Sequence, residues 1–375
     1  MNKIQKISSI ITASLFLVLI LGGSLFCIIA PDKAVSATER RKLAQFPTLS
    51  TESINSGKFF ENFDKYAADQ LPLRDTLRGI KALTRFNLLG RLENNGIVIR
   101  EDTAIKLATS YNEALLKANV ELWNSIAKEN FSSANLYYSI VPDKGYFLSD
   151  TYYPHLNYDK LMDTVRENAP SGASEISIAD RLKLTDYYST DLHWKQESVY
   201  PIAAYLAEVL GTTIDAEQSY TDKSLGDFYG VYVGQSALPL DPDSLTIREN
   251  STTQSVNVYV YRSSGMKIKR VPSAVYNIDS MSADDMYSVF LAGSESIVEI
   301  ENPNVSNGKT LAVFRDSFSS SLMPYLMSGY ERIIMFDTRY MASSILGSLR
   351  QLRLSEVTDV LFLYSVTTIT ETVMR

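Results

Sequence analysis

The sequence is poor in the residues from which many enzyme sites are built. Its one cysteine is Cys27, and its only histidines are His155 and His193. A single thiol excludes an internal disulfide and a thiolate-ligated metal, so the fold must be held by its core. With two separated histidines and no His-Glu-x-x-His pattern, no metal or cofactor is expected. A Gly-rich phosphate loop and a Gly-x-Ser-x-Gly elbow are also missing. Nor is there a cationic excess: 43 acidic residues stand against 36 basic ones, a net charge of −7. That balance excludes the basic footprint of a nucleic-acid-binding protein.

What is present describes a folded chain. Hydrophobic residues make up 45% and charged residues 21% of 375 positions, which is ordinary globular usage. At about 150 residues per domain the length suits two domains or one large α/β domain. Between Ile7 and Ala30 there is no charge, and a helix over that stretch would reach ~36 Å, enough to cross a hydrocarbon core of ~30 Å. Its outer end, Ser24-Leu25-Phe26-Cys27-Ile28-Ile29, is bulky where a signal peptidase needs small residues, so an uncleaved anchor is expected. Lys3 and Lys6 precede the span, placing the N-terminal tip in the cytoplasm and the body outside.

Residues 1–30 therefore read as tip and anchor, and residues 31–95 as a polar linker followed by helices. Helical periodicity runs through Phe59, Phe63, Tyr66 and Leu71, breaks at Pro72, and resumes over 75–88. Another helix is expected over 111–128, with Leu115, Ala118, Leu122 and Ile126 on its apolar face and Trp123 in the core. Short apolar runs at 134–141, 310–314, 332–336 and 359–364 alternate with amphipathic stretches near 317–329 and 342–353. That alternation implies βαβ units and an α/β fold whose parallel sheet is flanked by helices. Residues 220–300, with possible strands at 230–233 and 256–261, read as an insertion within a domain spanning 96–375.

Two local patterns could carry chemistry. His193 lies in Thr190-Asp191-Leu192-His193-Trp194, ahead of a helix beginning near Ser198. A carboxylate two residues from a histidine can reach Nδ1, fix the tautomer and leave Nε2 as a general base. The plainer alternative is a hydrogen-bonded histidine beside a buried Trp194. Asp316-Ser317 follows the 310–314 strand at the start of a helical stretch, the position at which open α/β sheets bind ligands. Either residue could instead be an N-cap. Together Ser317, His193 and Asp191 make a serine triad possible. Arg339 and Tyr340 follow the 332–336 strand and could contact substrate, or Arg339 could pair with Asp337. His155, in a proline-marked loop, reads as a surface residue.

The order of Glu39-Arg40, Asp69-Gln70-Leu71-Pro72-Leu73-Arg74-Asp75, Val141-Pro142-Asp143-Lys144, Thr190-Asp191-Leu192-His193-Trp194, Leu225-Gly226-Asp227-Phe228-Tyr229, Asp316-Ser317-Phe318 and Asp337-Thr338-Arg339-Tyr340 resembles the DHHW-motif proteins. These are similar to the alginate O-acetyltransferase group of SGNH-hydrolase-like proteins. The resemblance implies an SGNH-hydrolase-like fold with Ser317 as nucleophile, His193 as base and Asp191 as its orienting acid. Trp194 and Lys144 join Arg339 and Tyr340 as candidates for substrate contact. Two positions depart from the pattern: Leu192 replaces the second letter of the motif, and Arg315 stands where SGNH enzymes have Gly. The implied activity is extracytoplasmic O-acetyl transfer, or acetylester hydrolysis, on a cell-envelope or exported polysaccharide. A membrane-bound O-acyltransferase would supply acetyl groups. A catalytically silent envelope or polysaccharide-binding protein is the alternative.

Overall fold

The computed structural model describes every residue except 1–2, 92, 149–153, 239, 265–266, 283–284, 342–345 and 347–348. The chain divides into two compact units, one of residues 1–95 with 233–239, the other of residues 96–232 with 240–375.

The first unit starts with α1 (Lys3–Ile29), whose stretch Gln5–Phe26 is long and apolar enough to cross a membrane. A short hairpin of β1 (Val35–Ser36) and β2 (Arg41–Lys42) follows. Next come α2 (Thr51–Asn55), capped by Ser50, then α3 (Lys58–Asp69) and α4 (Arg74–Leu83). Pro72 separates α3 from α4, because it lacks an N–H and its ring blocks the preceding turn. A wide turn over Thr84–Leu88 prolongs α4, and β3 (Glu93–Asn94) follows.

In the second unit β4 (Ile97–Arg100) and β5 (Thr103–Lys106) pair as a hairpin. Helix α5 (Glu113–Asn130) is capped by Asn112, whose side chain accepts from the Leu115 N–H. Its buried face holds Leu116, Asn119, Val120, Trp123 and Ile126 rather than the expected Leu115, Ala118 and Leu122. The face is rotated because a polar residue belongs to it: Asn119 Nδ2 donates to Ile369 O at 3.0 Å and Thr372 O at 2.8 Å. Trp123 is core, stacked on Phe362 and Tyr364 at 5.2 and 5.7 Å between ring centres.

The chain continues through β6 (Asn135–Val141), α6 (Tyr158–Asn168), β7 (Ser174–Glu175), α7 (Tyr200–Val209), β8 (Thr221–Phe228), α8 (Val231–Ser236), β9 (Asp243–Glu249) and α9 (Ser251–Ser255). Then come β10 (Asn257–Ser264), β11 (Lys267–Ser273), β12 (Ile297–Glu301), β13 (Thr310–Arg315), α10 (Phe318–Leu326), β14 (Arg332–Phe336), β15 (Asp359–Ser365) and α11 (Val366–Glu371). One eight-stranded sheet has the order β11-β10-β12-β14-β13-β15-β6-β7. From β14 to β7 it is parallel, while β12, β10 and β11 extend it antiparallel. Alternate residues of the central strands enter separate cores. Leu311, Val313, Leu361 and Leu363 pack on one face, and Ala312, Phe314, Val360 and Phe362 on the other. Burial on both faces is why these strands read as unbroken apolar runs.

Residues 220–300 differ from the insertion expected of them. Strands β8 and β9 form a ribbon, but β10–β12 belong to the main sheet. Residues 230–233, expected as a strand, open α8 instead. The amphipathic stretch expected near 342–353 falls partly outside the described residues, and its described end holds single turns at Arg350–Leu352 and Leu354–Glu356.

Candidate active site

The segment 189–194 is a tight turn closed by the Tyr188 N–H donating to His193 O and by the bridge between Tyr187 and Trp194. Asp243, on β9, holds its tip. Its carboxylate accepts the N–H groups of Ser189 and Thr190, both at 2.8 Å, and the Thr190 hydroxyl at 2.6 Å. Gly230 packs against the same turn, and a Cβ there would stand 2.4 Å from Asp191 Cβ and from Thr190 O. Only a glycine fits that approach.

Within this turn Asp191 is fully buried and His193 nearly so. Asp191 Oδ1 accepts from His193 Nδ1 at 2.6 Å and from the His193 N–H at 3.1 Å, while Oδ2 accepts from the Val231 N–H at 2.9 Å. Burial pushes the Asp191 carboxyl up, but the adjacent imidazole and these three donors outweigh it and hold the group below the usual carboxylate range. An ionised acceptor at Nδ1 fixes the proton there and turns the Nε2 lone pair outward. Nε2 accepts from Ser317 Oγ at 2.7 Å.

Ser317 comes from the other side of the sequence. It follows β13 and stands at the N-terminus of α10, partly exposed, with no capping hydrogen bond from its side chain. The capping work is done by Asp316. Its Oδ1 accepts from the Phe318 N–H at 3.1 Å, and its Oδ2 from the Ser365 N–H and hydroxyl at 2.7 and 2.6 Å. Thus the start of α10 is pinned to the end of β15, and the Ser317 hydroxyl is left to His193.

Trp194, expected as a substrate contact, is fully buried: Nε1 donates to Phe318 O at 3.1 Å and Ser321 Oγ at 2.9 Å, tying the histidine turn to α10. Lys144 is likewise part of the frame, its Nζ donating to Ala104 O at 2.8 Å and Ser189 O at 3.3 Å. Burial pushes its ammonium down to about 7, against the pull of Asp191 and Asp243. Because β14 runs parallel to β13, Arg339 and Tyr340 leave the sheet at the same edge as Ser317. Arg339 is engaged by Asp337, with Nε to Oδ1 at 2.8 Å and a terminal nitrogen to Oδ2 at 2.6 Å, whereas Tyr340 is exposed. The buried Arg315 points its guanidinium to Glu295 O at 3.1 Å and toward Asp337 at 3.6 Å. His155 interacts with Leu156 O and the Tyr158 ring.

Sequence reasoning missed two neighbours, Asp243 and Tyr287. The Tyr287 ring lies parallel to the His193 imidazole, 3.8 Å between centres and 10° between planes, and its hydroxyl bonds Ser321 Oγ at 2.8 Å. Tyr287 sits in a single helical turn without a periodic pattern, so no local signal points to it.

Residues 173–336 match the family described as DHHW protein. No curated protein matches the chain in sequence. In fold it is similar to a DHHW family protein from Eubacterium siraeum, with 20% identity, 74% of this chain and 93% of that one covered, and a TM-score of 0.59. It is also similar to Bacillus cereus PatB1, solved with a sulfonyl adduct, at 16% identity, 74% and 97% coverage and a TM-score of 0.59. The O-acetyltransferase domain of Pseudomonas putida AlgJ aligns at 12% identity over 73% and 92%, with a TM-score of 0.43. The stretch carrying Asp191, His193 and Ser317 thus lies within the match to the DHHW family, which the chain resembles both in sequence and, over about three quarters of its length, in fold.

Proposed function

We propose that this protein is an acyl-transfer enzyme in which Ser317 is the nucleophile, His193 the general base and Asp191 the group that orients it. The observation that carries the reading is the unbroken line of hydrogen bonds from Asp191 Oδ1 through His193 to Ser317 Oγ, at 2.6 and 2.7 Å. As Ser317 Oγ attacks an acetyl carbonyl carbon, its proton passes to His193 Nε2, and Asp191 stabilises the resulting imidazolium. The oxyanion forms at the head of α10, where the positive end of the helix dipole favours negative charge. Collapse returns the proton from Nε2 to the leaving group and leaves an acetyl ester on Ser317. A sugar hydroxyl then gives its proton to Nε2 and takes the acetyl group, and Nε2 returns the proton to the departing Ser317 Oγ. Water in place of the sugar gives ester hydrolysis.

The resemblance to DHHW and alginate O-acetyltransferase-like proteins supports acetyl as the group transferred and a cell-envelope or exported polysaccharide as its acceptor. With α1 as a single-pass anchor, the body works outside the membrane, and a membrane-bound O-acyltransferase delivers acetyl to it. Exposing the full chain to a sulfonyl fluoride should modify Ser317 stoichiometrically and abolish hydrolysis of an acetyl ester. Ser317→Ala should take up none and His193→Ala should react far more slowly. Modification elsewhere, or ester turnover that survives Ser317→Ala, would overturn the reading.

A further inference from the structure

The first unit carries a surface that acyl transfer does not use. Along α4 and its leading residue, Leu73, Leu77 and Ile80 recur at spacings of four and three, the period that places them on one stripe. They are 74%, 47% and 56% exposed. Each is followed by a cation, Arg74, Arg78 and Lys81, so a basic stripe borders the apolar one. Packing does not consume this face, since α4 buries only Ala82 and α3 buries nothing. Leu88 and Leu89, beyond α4, are also exposed, at 78% and 62%. An apolar stripe bordered by lysine and arginine is the composition of a helix lying in a membrane interface.

The basic stripe opens onto a cavity of about 670 Å³. Arg41, Arg74, Arg78 and Lys81 are among its lining residues, and Glu39 is the one acid there among the described residues. Glu39 is already engaged, accepting from Arg74 and from Arg78, the latter at 3.1 Å. Asp69 takes up Arg41 from outside the lining. Burial pushes the Arg78 guanidinium down, as does its crowding by Arg74 and Arg41, despite Glu39 and Asp75. A further anion would relieve that crowding, and guanidinium forks match the oxygens of a phosphate. Chain length limits where this can happen. Glu39 is ten residues beyond Ile29, the end of α1, so the cavity lies within ~36 Å of the end of the span.

We propose that α4 lies in the headgroup layer of the membrane that α1 spans, with the phosphate of an anionic phospholipid in the cationic cavity and Leu73, Leu77 and Ile80 at the acyl boundary. This rests on reading α1 as an anchor. The test uses the full chain in nanodiscs of phosphatidylcholine, with and without phosphatidylglycerol, and follows hydrogen exchange over residues 71–91. Phosphatidylglycerol should slow exchange there. Lys81→Gln should weaken the lipid dependence about fivefold and Arg78→Gln with Lys81→Gln about thirtyfold. Leu77→Ser with Ile80→Ser should remove the protection in either lipid. Lys81 and Ile80 are surface positions, so the single changes Lys81→Gln and Ile80→Ser keep the test valid if the double variants misfold. Equal exchange in both discs overturns the proposal. So does protection by inorganic phosphate alone, which would mean a site for a soluble anion, or protection that grows with protein concentration, which would mean a second copy on the apolar face. Alkaline extraction reports the span separately: release of the chain from membranes would refute the anchor, while exchange with phosphatidylglycerol vesicles would still report on α4.

Discussion

The Tyr287 ring lies flat against the His193 imidazole, 3.8 Å between centres, and its hydroxyl is tied through Ser321 to Trp194, the residue next to that histidine. The imidazole is therefore held by its Asp191 bond at one edge and by an aromatic surface on one face. Replacing Tyr287 with Leu should lower kcat/KM on an acetyl ester by about two- to tenfold, the worth of an aromatic pair, with KM little changed. Tyr287→Phe keeps the ring and should cost only about 1 kcal/mol of stability for the lost hydroxyl bond, with turnover retained. Steady-state kinetics and melting of the two variants separate orientation from packing.

In the proposed mechanism Ser317, His193 and Asp191 act on one transition state, so their losses should not add. Ser317→Ala and His193→Ala should each lower kcat by about three orders of magnitude or more, and the double variant should be little worse than either. Asp191→Asn should also be severe, since an amide no longer fixes the proton on Nδ1. Full additivity of the two single losses would contradict a shared step.

Gly230→Ala should be among the most damaging small changes in the chain. An added Cβ meets Asp191 Cβ and Thr190 O at 2.4 Å, neither of them the free end of a flexible side chain. Overpacking of this kind costs about 1–3 kcal/mol. Since the turn displaced is the one bearing Asp191 and His193, ester turnover should fall in the fraction that remains folded. Calorimetry and turnover on one preparation check both effects.

Lys144 should leave a signature in the pH dependence of stability. Its ammonium is pushed down to about 7 in the folded chain and returns to the ordinary lysine value on unfolding. Between these values the unfolded chain binds more protons, so this group makes the native state gain stability as pH rises through that window, by at most about 1.4 kcal/mol per unit. Lys144→Met should remove the gain, and denaturant unfolding at pH 7 and 9 would measure the difference in slope. Asp191 acts with the same sign in a lower pH window. Its depressed carboxyl contributes stability above the ordinary carboxylate range, and that contribution is lost as pH falls toward its native value.

Asp337 holds two cations, Arg339 at 2.6 Å and the buried Arg315 at 3.6 Å. Asp337→Ala should therefore cost about 3–5 kcal/mol, because it strands charge inside the protein. A melting temperature close to that of the parent would contradict that account of Arg315.

How much of this was legible depends on how local the cause is. The strands 310–315, 332–336 and 359–365 were readable because burial on both sheet faces makes every residue apolar, and Asp316-Ser317 was readable from its place after such a strand. Val231-Tyr232-Val233 misled because β-branched and aromatic residues favour strands, whereas here the backbone turns to aim the Val231 N–H at Asp191. The face of α5 was set wrongly by Asn119, whose burial is balanced by carbonyls some 250 residues later. Tyr287 and Asp243 act on the site from segments with no pattern of their own. Their roles come from tertiary contact, which spacing does not encode.

The sheet order also sets when the site can come into being. Strand β13, which delivers Ser317, is joined to β6 only through β15, and β15 follows both of them in the chain. Asp316 is anchored on Ser365 at the end of that same strand. A growing chain can therefore form its histidine turn long before the start of α10 has its anchor. The seat of Ser317 is complete only once β15 has been made and inserted between β6 and β13.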